Sequence, residues 1–479
     1  MSAADGPSSP PREQPAAAAG RQADGVERFG YQQELQRSLS FTDLLVYGLI
    51  FMVPIAPFGI FGSVYSASGG MVALAYVIGG VAMAFTALSY AQMSRAFPVA
   101  GSVYSYAGRG IHPVAGFLSG WLILLDYVLV PALLYIVAGV AMHSFVGAIP
   151  VWAWVVGFVV VNTVINYAGI KLTARVNRIV LVAELIVLAL FLVIGIGALI
   201  AGKGNGQGIE PLFNSGTFSF GTVLTAVSVA VLSFLGFDAI STLSEEHKGD
   251  DRTVGRATLA ALGLAGVLFV VQTWVASLFV SNPDQLISKG DAAGTAFYDA
   301  AEVAGGHWLS VLTAISTAIA WGFADALVAQ AATSRLLYSM ARDRQLPSFL
   351  ARVHSRHQVP VNATLLVGGV SVVLGVWFAH RDDGITLLST LVNFGALSAF
   401  LLLHASVVNH FARRRGGERV DVWRHIVGPV IGFAVILVTI IKANVAAQRL
   451  GFTWLAIGIV IVIVSYAVGR RPRLSGMDD

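Results

Sequence analysis

The chain contains no cysteine, and only 12% of its 479 residues are charged. The absence of cysteine excludes disulfides, thiolate metal sites and cysteine nucleophiles. The shortage of charge argues against an ordinary soluble domain, in which about a quarter of the residues are charged. Because 56% of the residues are hydrophobic, the apolar side chains cannot all be buried in one water-facing globule. This composition indicates that lipid is the solvent of the chain.

Motifs of enzymes and of cofactor sites are also missing. The ten histidines show no metal-ligand spacing, and no hydrolase or kinase signature is present. The glycine-rich run 202–208 (GKGNGQG) opens no strand-to-helix turn of a nucleotide site. The basic residues are spread over short loops instead of one patch. We therefore expect no enzyme activity, no metal, no cofactor and no nucleic-acid partner.

Both ends of the chain are predicted to be short tails. Residues 1–38 are rich in Ala, Gly, Pro and Gln and have no apolar core before Leu39, so they do not resemble a signal peptide. Their composition is typical of disorder. Residues 470–479 carry three arginines and no apolar run. We predict that both segments lie in the cytoplasm, outside a transport domain of residues 39–469.

Long apolar runs fill the rest of the chain. A helix needs about 20 apolar residues to cross the hydrocarbon core of a bilayer, and twelve stretches qualify, with eleven or thirteen as the alternative counts. The predicted spans are 42–66, 71–92, 113–144, 151–168, 176–201, 219–244, 257–281, 308–340, 360–379, 384–411, 425–443 and 451–469.

Lysine and arginine predict the orientation of these spans. With the N-terminus inside, 25 of the 30 basic residues fall in the inner segments and 5 in the outer loops. Cytoplasmic loops carry an excess of Lys and Arg. The distribution therefore predicts a multi-pass protein of the plasma (inner) membrane with both termini in the cytoplasm.

Two of the predicted spans contain helix-breaking residues near their middle. Span one includes 54–62 (PIAPFGIFG), and span six includes 233–238 (SFLGFD). Proline removes a backbone donor and glycine weakens a helix, and irregular backbone at membrane depth occurs where it lines protein or a cavity. Taken singly, each break can be an ordinary kink. As a pair five spans apart, they indicate an inverted repeat with a substrate site between the half-helices.

Four further segments resemble the motifs of the amino acid–polyamine–organocation (APC) superfamily. They are 234–246 (FLGFDAISTLSEE), 97–107 (FPVAGSVYSYA), 334–343 (SRLLYSMARD) and 391–397 (LVNFGAL). Within this superfamily the chain is most similar to bacterial putrescine importers and related amino acid permeases, and Leu125-Asp126-Tyr127 adds to that similarity.

The resemblance implies an all-α, LeuT-like fold with inverted repeats at about 40–201 and 219–411 and two additional helices at 425–469. It also implies secondary transport by alternating access, as an importer of amino acids or polyamines that is often coupled to protons. A nutrient sensor of the same fold is the alternative. The substrate-binding residues expected around the two breaks are Ile55, Ala56, Phe58, Gly59, Ile60, Phe234, Gly236 and Phe237.

The chain departs from the family at two points that bear on the substrate. Many amino acid carriers hold the substrate carboxylate on a Gly-small-Gly stretch of span one, where this chain has Pro57-Phe58-Gly59. Proline has no N–H to donate, so this cradle is incomplete. The resemblance to putrescine importers implies an acidic residue at Gly59, and it is absent. These departures leave the choice between amines and amino acids open.

Four acidic residues stand out in the interior of the predicted spans, where a charge is costly and is usually paired or functional. Glu184 is a candidate proton-coupling group, with a neutral packing role as its alternative. For Asp238 we favour an N-cap of the second half-helix, with substrate binding or proton coupling as alternatives. Asp126 either binds a substrate amine or holds a neighbouring helix. Asp325 either faces the cavity beside Trp321, whose ring attracts cations, or lies on another face.

Overall fold

The computed structural model describes residues 27, 37–168, 170–205, 208–250, 252–291, 294–355, 359–381, 384–413, 420–442 and 445–468. Nearly all of the predicted tail 1–38 and all of 470–479 lie outside these residues. Within the described part of the chain, all regular structure is helical, and extended pairing is limited to two isolated bridges. The predicted all-α class is confirmed.

The helices have the following bounds. They are α1 (Phe41–Met52), α2 (Ala56–Ala67), α3 (Val72–Ala96), α4 (Ser102–Gly110), α5 (Pro113–Phe145), α6 (Val151–Tyr167), α7 (Ile170–Ile200), α8 (Phe220–Ala230), α9 (Thr253–Ser277), α10 (Pro283–Lys289), α11 (Ala296–Gly305), α12 (His307–Ile319), α13 (Ala326–Arg342), α14 (Val361–Ala379), α15 (Gly384–Arg413), α16 (Gly428–Lys442) and α17 (Val445–Ala467).

Ten helices in the described residues are long and apolar enough to cross a membrane, and the pair α1 and α2 makes an eleventh if it is one bent span. In this count the segment from α8 to Leu243 is one helix, and so is the segment α12–α13. Helix α6 lies where span four is predicted, but it has 17 residues and is not one of the ten. The number of twelve crossings stays a prediction.

The first break separates α1 from α2. Helix α1 begins at a capping box in which Ser40 and Asp43 bond reciprocally, and it ends at Val53, whose φ of 48° is rare for a β-branched residue. The helix restarts at Ala56, with Pro57 in the first turn, and the two halves are bent by 45°. Gln272 of α9 donates from Nε2 to the freed carbonyl of Pro54 at 2.9 Å. The break therefore has its own support from a neighbouring helix.

The second break lies between two 3₁₀ segments that follow α8. Val231–Phe234 ends at the extended Leu235, and Gly236, with φ 108°, precedes Phe237–Leu243. This φ lies in the region that favours glycine. A Cβ on Gly236 would be 2.9 Å from the carbonyl oxygen of Phe51, so the two breaks touch each other.

A third irregularity was not predicted. Between α12 and α13, residues Ala320–Asp325 form a π turn, a feature that is often found at functional sites. Asn162 of α6 donates from Nδ2 to the carbonyl of Gly322 in this turn at 2.8 Å. The π turn thus interrupts one long helix in the middle of the bundle, and a polar side chain of α6 satisfies one of its backbone groups.

One end of the bundle, which we call the basic end, is held by ion pairs. Arg342 bonds Glu245 at 3.1 Å and Arg335 bonds Glu246 at 2.9 Å, so α13 is joined to the segment that follows the second break. The backbone N–H of Leu39 donates to the carbonyl of Glu246 at 3.0 Å. The start of α1 is therefore fixed to the same segment.

Candidate functional site

A cavity lies where the two breaks meet. Its walls come from the first break, α5, the second break and the π turn. The lining residues are Phe51, Met52, Val53, Ala56, Ile60, Asp126, Tyr127, Val130, Leu133, Leu134, Leu232, Ser233, Leu235, Gly236, Asp238, Trp321 and Asp325.

Three carboxylates line this cavity. Asp126 comes from α5, Asp238 from the second break and Asp325 from the π turn, and each is at most 5% exposed. No Lys, Arg or His is among the described lining residues. The remainder of the wall is mostly aliphatic and aromatic. A buried charge is stable only when it is paired or neutralised, so this cavity suits a ligand that brings positive charge.

Asp238 is held by two tyrosines. Tyr127 donates its hydroxyl to Oδ2 at 2.8 Å, and Tyr90 donates to the same atom at 3.5 Å. The favoured interpretation of Asp238 as an N-cap is wrong, because Gly236 occupies the cap position and no side chain caps this segment. The carboxylate instead faces the cavity with a fixed orientation.

Trp321 and Gly59 are in contact. A Cβ on Gly59 would lie 3.2 Å from the indole ring of Trp321, so the absence of a side chain at this position leaves room for the ring. The Nε1 atom of Trp321 and the Oδ1 atom of Asp325 are both buried and have no hydrogen-bond partner among the described residues. Two polar atoms on the π turn are therefore available to a ligand in the cavity.

The predicted site residues divide into two groups. Those that line the cavity are Ala56, Ile60, Asp126, Gly236, Asp238 and Trp321. Those outside the lining are Ile55, Phe58, Gly59, Phe234, Phe237 and Glu184.

The three phenylalanines outside the lining belong to packed aromatic clusters. Phe58 stacks on Phe297 with ring centroids 3.9 Å apart. Phe234 contacts Phe269 at 5.1 Å, and Phe237 contacts Phe400 at 5.8 Å. In this conformation these rings pack the bundle and do not face the cavity.

The start of α2 offers few free donors to a carboxylate. Pro57 has no N–H. The N–H of Ala56 donates to the carbonyl of Val53 at 2.7 Å, and that of Phe58 donates to the carbonyl of Ile55 at 2.9 Å. Of the first three residues of α2, one therefore has no N–H and the other two have theirs already bonded.

Glu184 lies in the middle of α7 and is 1% exposed. Neither of its carboxyl oxygens has a hydrogen-bond partner among the described residues. Helix α7 packs against the π turn that carries Asp325.

A second cavity, the basic-end crevice, opens beside α1. Its lining includes Asp43, Tyr47, Asn177, Arg178 and Arg335, together with apolar residues of α1 and α13. Asp43 and Arg178 form an ion pair across it at 3.2 Å. The crevice and the central cavity approach each other along α1, where Ile50 lines the crevice and Phe51 lines the cavity.

Some residues of the site were not singled out as candidates. Tyr127 enters the sequence analysis only as part of a family motif, and Tyr90 carries no signal that separates it from packing residues. Asp325 is a candidate from the sequence alone, which does not show the face of the helix on which its side chain lies. A polar residue in an apolar span is the one signal that Gln272 and Asp325 share.

Comparisons with known proteins give one family. A model described as amino acid permease matches residues 42–466. The low-affinity putrescine importer PlaP of Escherichia coli (strain K12) is 30% identical over 458 residues, covering 92% of this chain and 96% of the relative. The branched-chain amino acid permease BcaP of Bacillus subtilis (strain 168) is 26% identical, with 90% and 93% covered.

Another relative is named for a different substrate. The methylthioribose transporter of Bacillus subtilis (strain 168) is 26% identical over 78% of this chain and 81% of its own length. The family and these relatives are transporters and permeases, not enzymes. With its apolar helices and a family match over most of its length, the chain is a membrane permease that belongs to the amino acid permease family of the APC superfamily.

Proposed function

We propose that this permease carries small organic cations, with diamines such as putrescine as the first candidates. The observation that carries this proposal is the cavity itself, in which Asp126, Asp238 and Asp325 line the wall and no basic residue is among the described lining residues. Two carboxylates at separate positions can each hold one ammonium group of a diamine, and the aliphatic wall suits the carbon chain between them.

An α-amino acid fits this cavity less well. Its carboxylate would need N–H donors or a cation, and at the start of α2 Pro57 has no N–H while those of Ala56 and Phe58 are already bonded. It would also lie among three acidic side chains, where like charges repel. The acid that the family resemblance implies at Gly59 is absent here, but Asp126 and Asp325 supply negative charge from two other helices.

We also propose the finer architecture that the sequence predicts. The chain would cross the plasma (inner) membrane twelve times in two inverted repeats, 40–201 and 219–411, followed by helices at 425–469. Both termini and the basic end would face the cytoplasm, as the distribution of Lys and Arg supports. Transport would proceed by alternating access around the two broken helices, which is the arrangement that such breaks support in other transporters.

Import would be coupled to protons. The candidates are Glu184, which is buried and has no hydrogen-bond partner in the part of the chain that the structure describes, and Asp238, which faces the cavity. A carboxyl that binds a proton on one side of the membrane and releases it on the other can couple the two gradients. Replacing Glu184 by Gln should abolish proton-driven accumulation and leave substrate binding largely intact.

The test is uptake into proteoliposomes that contain the purified protein. Radiolabelled putrescine and leucine are compared, each with and without an inward proton gradient, for the wild type, D126N and the exposed control E302Q. We expect gradient-driven accumulation of putrescine by the wild type and E302Q and its loss in D126N. Accumulation of leucine with no putrescine uptake would contradict the proposed substrate class, and accumulation without dependence on the gradient would contradict proton coupling.

A further inference from the structure

We propose that Asn162 of α6 is a positioning residue for the substrate, because it holds the π turn in the shape that directs Trp321 and Asp325 into the cavity. This proposal takes the role of the cavity from the proposed function. It adds a residue that lies outside the described cavity lining and that neither the family match nor the relatives assign.

The π turn gives up a hydrogen bond that a regular helix would make. In an α-helix the carbonyl of Gly322 would accept from the N–H of Ala326, four residues later. That N–H instead bonds the carbonyls of Trp321 and Phe323. Asn162 supplies another donor, since its Nδ2 atom lies 2.8 Å from the carbonyl oxygen of Gly322. A side chain of a neighbouring helix therefore compensates the turn for the α-helical bond.

Asn162 bonds α5 as well as the π turn. Its Nδ2 atom also donates to the hydroxyl of Tyr135 at 3.2 Å. Asn162 and Tyr135 are both 0% exposed, so water does not compete for these bonds. Helix α5 supplies Asp126 to the cavity wall. One buried amide group thus fixes the π turn relative to the helix that carries another of the cavity carboxylates.

Close packing holds the same face of the turn. A Cβ on Gly322 would be 2.7 Å from a side-chain carbon of α5 and 3.1 Å from the ring of Phe158 in α6, so this position has room only for glycine. Phe323 packs edge-on against Phe158, with ring centroids 4.9 Å apart. Gly322 and Phe323 therefore face α5 and α6, whereas Trp321 and Asp325 line the cavity.

Loss of the bond from Asn162 should change the direction of the cavity side chains. A buried carbonyl left without its donor is costly, so the α-helical bond between Ala326 and Gly322 becomes the favoured alternative. Successive residues of a regular helix are rotated by about 100°, and a π turn holds one residue more than an α-helical turn. A change to regular helix therefore rotates one end of the segment relative to the other. Trp321 and Asp325 then no longer both point into the cavity.

Asn166 provides a matched control one turn further along α6. Its Nδ2 atom donates to the carbonyl of Leu327 at 3.1 Å and to Oε1 of Gln330 at 2.8 Å. Both partners follow the π turn and lie outside the described cavity lining. Replacing Asn166 therefore removes at least as many hydrogen bonds between α6 and the same long helix as replacing Asn162, but none of them holds the turn.

The first test is equilibrium binding of radiolabelled putrescine to the purified full-length protein in detergent. We expect N162L to bind putrescine about tenfold more weakly than the wild type, the scale of one lost hydrogen bond to a charged group. N166L should bind as the wild type does, although its thermal unfolding midpoint should fall at least as far as that of N162L. Equal affinities in N162L and N166L would overturn the positioning role.

A second readout needs no substrate. Fluorotryptophan is incorporated in place of tryptophan, and the fluorine NMR resonance of Trp321 is assigned from its absence in W321F. We expect this resonance to shift in N162L and to stay in place in N166L, because only the first substitution alters the turn. An unshifted resonance in N162L would show that the turn keeps its shape without Asn162, which would also overturn the proposal.

Serine variants keep the test decisive if the leucine variants do not fold. A serine hydroxyl in a helix bonds the carbonyl four residues earlier in its own helix, so N162S and N166S lose the bonds to the neighbouring helix without burying an unpaired hydroxyl. They should show the same contrast in affinity and in the Trp321 resonance.

The two readouts separate this proposal from the proposed function. If the Trp321 resonance shifts in N162L but the wild type binds no putrescine, the proposed substrate is wrong and the positioning of Trp321 by Asn162 stands. If the wild type and N162L bind putrescine equally well and the resonance is unshifted, the proposed substrate stands and the positioning role is wrong.

Discussion

The two helix breaks differ in how their irregular backbone is supported. Between α1 and α2, ordinary α-helix continues on both sides, no charge is present from Val53 to Ile60, and Gln272 of another helix bonds the freed carbonyl of Pro54. At the second break, the flanking segments are 3₁₀ helices, a glycine adopts a positive φ, and an acidic residue faces the cavity.

The two breaks therefore contribute differently to the cavity, the first to its shape and the second to its charge. The first break supplies apolar wall and depends on α9 for support, whereas the second supplies Asp238 and depends on its own glycine. The other two carboxylates come from α5 and the π turn. Different residues support the first break, the second break and the π turn. Substitutions at each should therefore have distinct effects on stability and on substrate binding.

The largest effect is expected at Gly236. Replacement by Ala places a Cβ 2.8 Å from the Phe51 ring and demands a φ of 108°, which costs about 3 kcal/mol of unfolding free energy or more when strain and overpacking act together. Denaturant titration in mixed micelles measures this loss. Gly263 is the matched control, because a Cβ there meets nothing within 4 Å and G263A should be neutral or slightly stabilising. A G236A variant as stable as G263A would contradict the strain at the second break.

Substitution of Gln272 tests the support of the first break. Replacing it by Leu leaves the buried carbonyl of Pro54 without its donor, and we expect a loss of about 2 kcal/mol in the free energy of unfolding. The neighbouring Thr273 bonds the carbonyl of Phe269 in its own helix at 2.7 Å, so T273V is the control and should cost less. Equal losses in the two variants would show that the bond to Pro54 has no special part in the first break.

The breaks themselves could be predicted because proline and glycine act locally. Residues 54–62 and 233–238 carry helix-breaking chemistry in the sequence, and both spans are interrupted there. The N-cap assignment for Asp238 failed because it required the exact residue at which the second segment begins. Gly236 takes that position, since its φ of 108° ends one segment and starts the next.

The π turn and the orientation of Asp325 could not be predicted. Residues 320–325 read AWGFAD, a composition that ordinary helix also accepts. Asn162, which bonds the carbonyl of Gly322 in the turn, is more than 150 residues away along the chain. Contacts at that separation depend on how the helices pack, and a single sequence does not reveal them. The same reason explains why Phe58 and Phe237, adjacent to the breaks, lie in packed clusters instead of the cavity.

Asp238 tests the charge that the second break supplies. Asparagine keeps the volume and can still accept from Tyr127, but it removes the negative charge from the cavity. We expect putrescine to bind about tenfold more weakly to D238N, which corresponds to about 1.4 kcal/mol. The control is Y90F, because the bond from Tyr90 to Asp238 is long at 3.5 Å and its loss should matter less. Unchanged affinity in D238N would mean that Asp238 only orients its neighbours.

The smallest effect is expected at the start of α1, far from both breaks. Ser40 accepts a hydrogen bond from the N–H of Asp43 at 3.2 Å, and the Asp43 carboxylate accepts from the N–H of Ser40 at 2.9 Å. S40A removes this cap and should cost about 1 kcal/mol in the free energy of unfolding. R178Q breaks the exposed ion pair of Asp43, in which the Arg178 side chain is 66% exposed, and should change stability by under about 0.5 kcal/mol. Neither variant should change putrescine affinity measured with the protein in detergent. A weaker affinity in S40A would mean that the start of α1 is coupled to the first break, and that the support from Gln272 does not isolate that break from its flanking helix.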